Sequence, residues 1–248
     1  MSQSEIEHHV AGVSTFINDI PCPENTLYGV VIASGIASGQ LVNIDYQEAL
    51  LQPGVVACLS ANDIPGCNQI GELVPDECLL VEKQIKFIGK PAALLVAETE
   101  KLARAAAHYV KLECRADTPV LDCREAFQQG SLFGETRTFK KGETQAAFKA
   151  AATIVEGRVD MGAQEHLYFE TQIAIAFPID GSRIKIFSAT QSPSAVQKQV
   201  AKVLDLPMHQ VQVEAPRLGG AFGGKEDQAT AWAALAALGA PMASASSL

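Results

Sequence analysis

The stretch GGAFGGKE, residues 219–226, places four glycines in six positions between a predicted strand and a predicted helix. Glycine tolerates positive φ angles and lets the backbone approach a ligand closely. Successive N–H groups in such a loop, reinforced by the N-terminus of the following helix, attract anions. An ordinary strand-to-helix turn is the alternative, but such a turn rarely needs four glycines. The segment therefore predicts a ligand-binding loop at a strand-to-helix junction.

The loop departs from both glycine-rich patterns of nucleotide-binding proteins. The dinucleotide pattern GxGxxG fails in every register, because Ala221 and Phe222 occupy the middle positions. The triphosphate pattern GxxxxGK[ST] matches over 219–225 but has Glu226 where Ser or Thr would ligate magnesium. A carboxylate there would also repel phosphate. A nucleotide triphosphatase is therefore the weakest hypothesis, and binding of magnesium–ATP would discriminate it.

Outward from the loop, strands and helices interleave along the chain, which is typical of a mixed α/β protein. In the first part we predict strands at 26–33, 54–59, 84–88, 92–97 and 110–114 and helices at 46–51 and 98–109. A looser connector is predicted over 115–142. In the second part we predict helices at 144–152, 194–204 and 226–238 and strands at 152–159, 168–177, 183–188 and 210–214. The helix at 194–204 begins after Pro193, with Ser192 as its N-cap.

The composition excludes several classes of protein. The chain has 248 residues and a net charge of −9, whereas a nucleic-acid-binding face is basic. A hydrophobic content of 48% excludes intrinsic disorder. We see no apolar run of about 18 residues and no signal-peptide pattern, so no membrane span is expected and the cytoplasm is the expected compartment. The six cysteines form no CxxC or CxxxC pair, so we expect no zinc or iron–sulfur site and predict that most are buried.

Further motifs accompany the glycine loop. Residues 162–171 read GAQEHLYFET, residues 188–193 read SATQSP, and HVAG (9–12), FINDIP (16–21) and DIPG (63–66) occur near the start. With GGAFGGKE they resemble, in the same order, the motifs of the xanthine dehydrogenase/aldehyde oxidase family of molybdenum hydroxylases. The resemblance spans residues 9–238. It implies an α/β hammerhead domain over 8–125, followed by the first part of a molybdopterin-binding domain over 140–248.

The resemblance also implies a cofactor and its contacts. The cofactor would be Mo-molybdopterin. Gln164 would donate a hydrogen bond to an oxygen on the molybdenum, and the backbone at Phe222 and Gly223 would approach the metal centre. A surface glutamine is the alternative for Gln164, and His166 is expected to orient its own loop. The chain has no iron–sulfur or flavin motif, so 2Fe–2S clusters and FAD would lie on a partner subunit or on other domains.

Glu226 separates the branches of this family. A carboxyl group at this position resembles the xanthine dehydrogenase branch, in which it hydrogen-bonds a purine, whereas aldehyde oxidases usually carry an apolar residue there. The implied reaction hydroxylates hypoxanthine or xanthine to urate with water as the oxygen source and passes electrons to iron–sulfur/FAD partners. An aldehyde oxidase or another N-heterocycle hydroxylase is the alternative. Glu226 could also simply interact with the helix dipole, which is worth about 0.5 kcal/mol.

The glutamate base and the substrate-clamping arginine of the family belong to motifs beyond the end of this sequence, so no catalytic residue is assigned. The uncharged tail after Gly239 predicts that the last helix ends there. We interpret the chain as an N-terminal fragment, inactive alone; a non-catalytic assembly remnant is a hypothesis of a different class. A fragment of this kind would expose an unpaired sheet edge and apolar helix residues such as Leu235 and Leu238.

Overall fold

The computed structural model describes residues 3–245. Contacts divide the chain into two units: residues up to Thr118 together with those from His166 onward, and Pro119–Glu165. The strands, all in the first unit, are β1 (Tyr28–Ala33), β2 (Gly39–Asp45), β3 (Val55–Leu59), β4 (Gln84–Ile85), β5 (Pro91–Ala97), β6 (Lys111–Ala116), β7 (Ala174–Pro178), β8 (Ile184–Ser188) and β9 (Val211–Glu214). The α-helices are α1 (Gln3–Val10), α2 (Gln47–Leu50), α3 (Glu100–Ala107), α4 (Cys123–Gln128), α5 (Thr144–Ala150), α6 (Pro193–Val203) and α7 (Gln228–Ala245).

The strands of the first unit form three three-stranded sheets. Their strand orders are β1-β5-β3, β4-β2-β6 and β7-β8-β9. Every pair is antiparallel except β8 with β9, which run parallel across the connection through α6. With its interleaved helices this is the mixed α/β architecture that the sequence predicts.

The first sheet is built around β5, whose sequence PAALLVA is buried almost throughout. A strand that is covered on both faces reads as a continuous apolar run rather than an alternating one. Helix α3 packs against β1 and β5 through Ala103 and Ala106, which are both buried. Thr99 is the N-cap of this helix, and its hydroxyl accepts a hydrogen bond from the backbone N–H of Leu102 at 3.2 Å.

One hydrophobic core joins the early and late parts of the first unit. Helix α7 packs against β7, β8 and α6, and the core also includes Leu94 and Val96 of β5. Leu235 and Leu238 are only 3% and 5% exposed within it. The expectation that these two leucines would be exposed was therefore wrong, because side chains from both ends of the sequence cover them.

A turn of the early segment also caps the C-terminus of α6. The N–H groups of Gly66 and Cys67 donate to the carbonyl oxygens of Val203 and Lys202 at 3.0 and 2.9 Å. The last carbonyl groups of a helix have no partner inside the helix, so this turn satisfies two of them. A Cβ atom at Gly66 would lie 2.1 Å from the Lys202 oxygen, so only glycine fits.

The second unit contains α4 and α5, and the rest of it has no regular secondary structure beyond turns and bends. Asp122 is the N-cap of α4, and its side chain accepts hydrogen bonds from the N–H groups of Arg124 and Glu125. Arg124 and Arg158 both pair with Asp160. The predicted strand at 152–159 was wrong: these residues are exposed and pair with no strand of the described chain.

Other differences lie at element boundaries and in unpredicted elements. The predicted strand at 168–177 begins only at Ala174, because the preceding residues turn to contact the glycine loop. Helix α7 continues past Gly239 to Ala245, and Pro241 lies inside it. Proline removes one intrahelical hydrogen bond, and burial of Ala240 helps to hold the turn in place. The sequence did not predict β2, α1 or α4, and residues 246–248 of the predicted second domain lie outside the described residues.

The prediction that most cysteines are buried was wrong. Cys58 is buried, but Cys22, Cys67 and Cys123 are exposed, and all six cysteines are free thiols. The exposed cysteines lie in irregular segments or at a helix start, where position outweighs the average preference of the residue type. No helix of the described chain is both long enough and apolar enough to cross a membrane.

Candidate functional site

The glycine loop connects β9 to α7 and contains three residues with positive φ angles. These are Gly220 at +96°, Phe222 at +51° and Gly223 at +86°. Glycine adopts this region freely, whereas a side chain such as that of Phe222 makes it costly. Strained backbone of this kind is often found at functional sites. Residues 220–223 are therefore the part of the loop where positive φ angles are concentrated.

The glycines of this loop have two different surroundings. A Cβ atom at Gly219 would lie 2.5 Å from Cβ of Glu170, and one at Gly224 would lie 2.8 Å from Cε1 of Tyr168 and 3.0 Å from Cγ of His166. At Gly223 a Cβ atom would meet nothing within 4 Å. One side of the loop is thus packed against residues 166–170, and the backbone at Gly223 borders open space.

Lys225 anchors the packed side of the loop. Its side chain is 0% exposed, and its ammonium group donates to the backbone oxygen of Glu170 at 2.7 Å and to Oε2 of Glu170 at 3.1 Å. The same ammonium lies 4.6 Å from the ring centre of Tyr168, a cation–π contact. The N–H of Gly219 donates to Glu170 Oε2 at 3.1 Å. The Glu170 carboxylate therefore holds both ends of the loop.

Two glutamines complete the hydrogen bonding of the loop. Nε2 of Gln172 donates to the oxygen of Gly224 at 2.9 Å. Oε1 of Gln191 accepts from the N–H groups of Gly223 at 3.1 Å and Lys225 at 3.3 Å. In the described chain, Oε1 of Glu170 and Oε1 of Gln172 are buried with no hydrogen-bond partner. Buried polar atoms usually have partners, so the neighbourhood of the loop retains unused accepting capacity.

Three of the four predicted site residues lie together on the loop. Phe222 is 75% exposed, and Gly223 and Glu226 are also exposed. Gln164 is exposed too, but it belongs to the second unit, Pro119–Glu165. The structure thus gathers Phe222, Gly223 and Glu226 within one unit and leaves Gln164 outside it.

The sequence did not single out the residues that hold the loop. Lys225, Glu170 and Gln191 stand inside the quoted motifs, but their partners lie 32 to 55 residues away in the chain. A lysine directly after a run of glycines was the available signal, since a cation in a tightly packed loop needs a buried acceptor. His166 lies against Gly224, and its role in orienting the loop stays a prediction.

The residues present fit a large cofactor at this loop. The backbone at Gly223 borders open space and carries no side chain, so a ligand can approach it closely, and the neighbouring Phe222 holds a strained backbone of the kind found at functional sites. Phe222 and Gly223 would contact such a group through their main chain. The buried Lys225–Glu170 pair would keep that main chain in place.

Two family models match the chain. Residues 11–117 match "Aldehyde oxidase and xanthine dehydrogenase, a/b hammerhead domain", and residues 127–245 match "Molybdopterin cofactor-binding domain". The chain is 35% identical over 235 residues to a xanthine dehydrogenase of Oryza sativa subsp. japonica, covering 93% of this chain and 17% of that protein. It is 34% identical over 234 residues to aldehyde oxidase 2 of Cavia porcellus, covering 94% and 17%.

Two solved structures have the same fold as this chain. The aldehyde oxidoreductase from Desulfovibrio gigas aligns with a TM-score of 0.82 and 25% identity over 95% of this chain and 28% of that one. The quinoline 2-oxidoreductase from Pseudomonas putida 86 shares the fold, with a TM-score of 0.80 and 23% identity over 95% and 32%. This chain spans 17% of the length of the curated relatives named above. It belongs to the xanthine dehydrogenase/aldehyde oxidase family of molybdenum hydroxylases.

Proposed function

We propose that this chain binds Mo-molybdopterin at its glycine loop and forms part of an enzyme that hydroxylates purines such as hypoxanthine and xanthine. The observation that carries the proposal is that Phe222, Gly223 and Glu226 are all exposed on one loop, which Lys225 anchors from inside. Residues 8–125 are proposed as the hammerhead domain and residues 140–248 as the cofactor-binding domain. The matched family models support this division.

The proposed residues hold and orient the cofactor. The main chain at Phe222 and Gly223 contacts it, and the carboxamide of Gln164 donates a hydrogen bond to it, as a neutral donor can. When bound, the cofactor supplies the redox-active metal that takes up electrons from the substrate. A partner subunit or other domains would hold the 2Fe–2S and FAD groups that accept these electrons. The six free thiols fit a reducing compartment, and the cytoplasm is the proposed location.

Glu226 is proposed to select the substrate. Purines present N–H donors that a carboxylate accepts well, whereas an aldehyde offers few such groups. A site built to hydrogen-bond its substrate discriminates strongly against molecules that lack the matching group. The relatives include aldehyde oxidases at almost the same identity as xanthine dehydrogenases. An aldehyde-oxidising enzyme is therefore the second candidate, and Glu226 is the residue that favours purines.

The test compares two substrates in the enzyme that contains this chain. Glu226→Val should lower kcat/KM for xanthine by roughly tenfold to a hundredfold, since a hydrogen bond to a charged group is worth about 1.5–3 kcal/mol. The value for an aromatic aldehyde should fall much less. Asp227→Asn is the matched control, because Asp227 is the adjacent exposed carboxylate. Equal losses for both substrates would contradict the proposed role of Glu226 in selecting purines.

A further inference from the structure

We propose that Gln191 is a positioning residue, which fixes the orientation of the Phe222–Gly223 peptide at the exposed face of the glycine loop. The proposal rests on the proposed function, because it assigns Gln191 the task of preparing this peptide for the cofactor. Neither the cofactor contacts nor the substrate contact proposed above involves Gln191.

The carboxamide of Gln191 binds two alternate amides of the loop. Its Oε1 accepts from the N–H of Gly223 at 3.1 Å and from the N–H of Lys225 at 3.3 Å. Both partners are donors, so only the oxygen of the side chain can satisfy them. The orientation of the Gln191 side chain is therefore determined by the loop that it holds.

The direction of one amide determines the direction of a carbonyl group. In a planar trans peptide the N–H and the C=O point to opposite sides. Because the N–H of Gly223 points to Gln191, the carbonyl oxygen of Phe222 points away from Gln191. The positive φ of Phe222 accompanies this arrangement. Without the Gln191 acceptor, the peptide would lose the hydrogen bond that fixes its orientation.

Gln191 is itself held in place at the start of a helix. Its own N–H donates to the oxygen of Lys225 at 2.8 Å. The hydroxyl of Thr190 donates to the same oxygen at 3.2 Å and accepts from the N–H of Ser192, the N-cap of α6, at 3.0 Å. Gln191 thus lies just before the start of α6, and these backbone and hydroxyl hydrogen bonds hold it in place, as a precise site requires.

The positioning by Gln191 differs from the anchor at Lys225. The Lys225 ammonium binds Glu170 in the interior, whereas Gln191 reaches the N–H of Gly223 at the exposed turn. Loss of the Lys225 anchor should destabilise the fold. Loss of the Gln191 acceptor should instead allow the Phe222–Gly223 peptide to change its orientation while the fold stays stable. Gln191 is exposed and contributes little to the core.

The first test measures amide hydrogen exchange in the 248-residue chain. Gln191→Leu removes the acceptor, Gln191→Glu keeps an oxygen at the same place, and Gln197→Leu removes side-chain hydrogen bonds that leave α6 away from the loop. Exchange at Gly223 and Lys225 should become at least tenfold faster in Gln191→Leu and stay near the wild-type rate in the other two variants. Unchanged exchange in Gln191→Leu, or equal acceleration in Gln197→Leu, would overturn the proposal.

The second test measures molybdenum content in the enzyme that contains this chain. After extended dialysis, Gln191→Leu should lose molybdenum at a rate on the order of tenfold faster than wild type, as loss of about one hydrogen bond predicts. Gln191→Glu should rescue retention, a result that a merely structural role of the side chain does not predict. Normal retention in Gln191→Leu would overturn the link to the cofactor. A wild-type protein without molybdenum would refute the proposed function instead, and the exchange rates would still decide whether Gln191 orients the peptide.

Discussion

Lys225 and Glu170 form a buried ion pair across 55 residues of sequence, with 3.1 Å between Nζ and Oε2. The pair connects the segment before β7 to the loop before α7. Because its charges lie on the inner side, the outer side of the loop is left to Phe222, Gly223 and Glu226. A loop that is fixed by buried contacts and leaves its other residues exposed to solvent can hold a large ligand without changing shape.

Removing one member of this pair should strongly destabilise the protein. Lys225→Met and Glu170→Gln should each lower the free energy of unfolding by about 3–5 kcal/mol, because each leaves a buried group without its partner. The double variant should lose less than the sum of the two. Urea unfolding measures all three. Lys111→Met is the control, since its ion pair with Glu48 is exposed and contributes little. Additive losses would show that the two residues do not act as a pair.

Gly66 should tolerate no side chain. A Cβ atom there meets the Lys202 oxygen at 2.1 Å, so Gly66→Ala must displace the turn that caps α6. We expect a loss of about 1–3 kcal/mol in the free energy of unfolding, typical of overpacking. Gly35→Ala is the matched control, because a Cβ atom there meets nothing within 4 Å. Similar unfolding midpoints for the two variants would contradict the capping role of this turn.

Cys58 should make stability depend on pH in the alkaline range. Burial, with a smaller contribution from the charge of Asp63, raises the pKa of the Cys58 thiol to about 11. The folded state therefore binds this proton more tightly than the unfolded state, in which the pKa is about 8.5. The stabilisation is fully present below about pH 8.5 and is lost as the pH rises towards 11.

The measurement compares wild type with Cys58→Ala. The urea midpoint of unfolding should fall more between pH 8 and pH 10.5 in wild type than in Cys58→Ala, because the variant lacks the titrating thiol. In the native protein at pH 8, a thiol reagent should modify the exposed Cys22, Cys67 and Cys123 before Cys58. Equal falls in midpoint for the two proteins would refute the assignment.

The sequence predicted most of the elements that carry strong local signals. The buried run of β5, the capped helix α3 and the proline at the start of α6 all appear close to their predicted bounds. The hairpin between β7 and β8 turns at Asp180-Gly181, a dipeptide that is typical of such turns. These features depend on short-range periodicity and turn chemistry, which a single sequence contains.

The errors concern features that depend on distant partners. The β-branched residues at 152–159 favour a strand, but a strand needs a neighbour to hydrogen-bond with, and local composition cannot supply one. Strand β2, with the sequence GQLVNID, mixes polar residues and glycine, so its local signal is weak although β4 and β6 pair with it. The partnership of Lys225 with Glu170 was beyond prediction for the same reason.

Metal analysis of the enzyme that contains this chain decides whether the glycine loop holds the molybdenum cofactor, as we propose. Gly223 and Gly181 both have positive φ angles and no neighbours within 4 Å of a Cβ atom, so valine strains the backbone at both. We expect Gly223→Val to lose most of its molybdenum and Gly181→Val, in the hairpin after β7, to retain the wild-type content. Normal molybdenum content in Gly223→Val would refute the role of the loop in holding the cofactor.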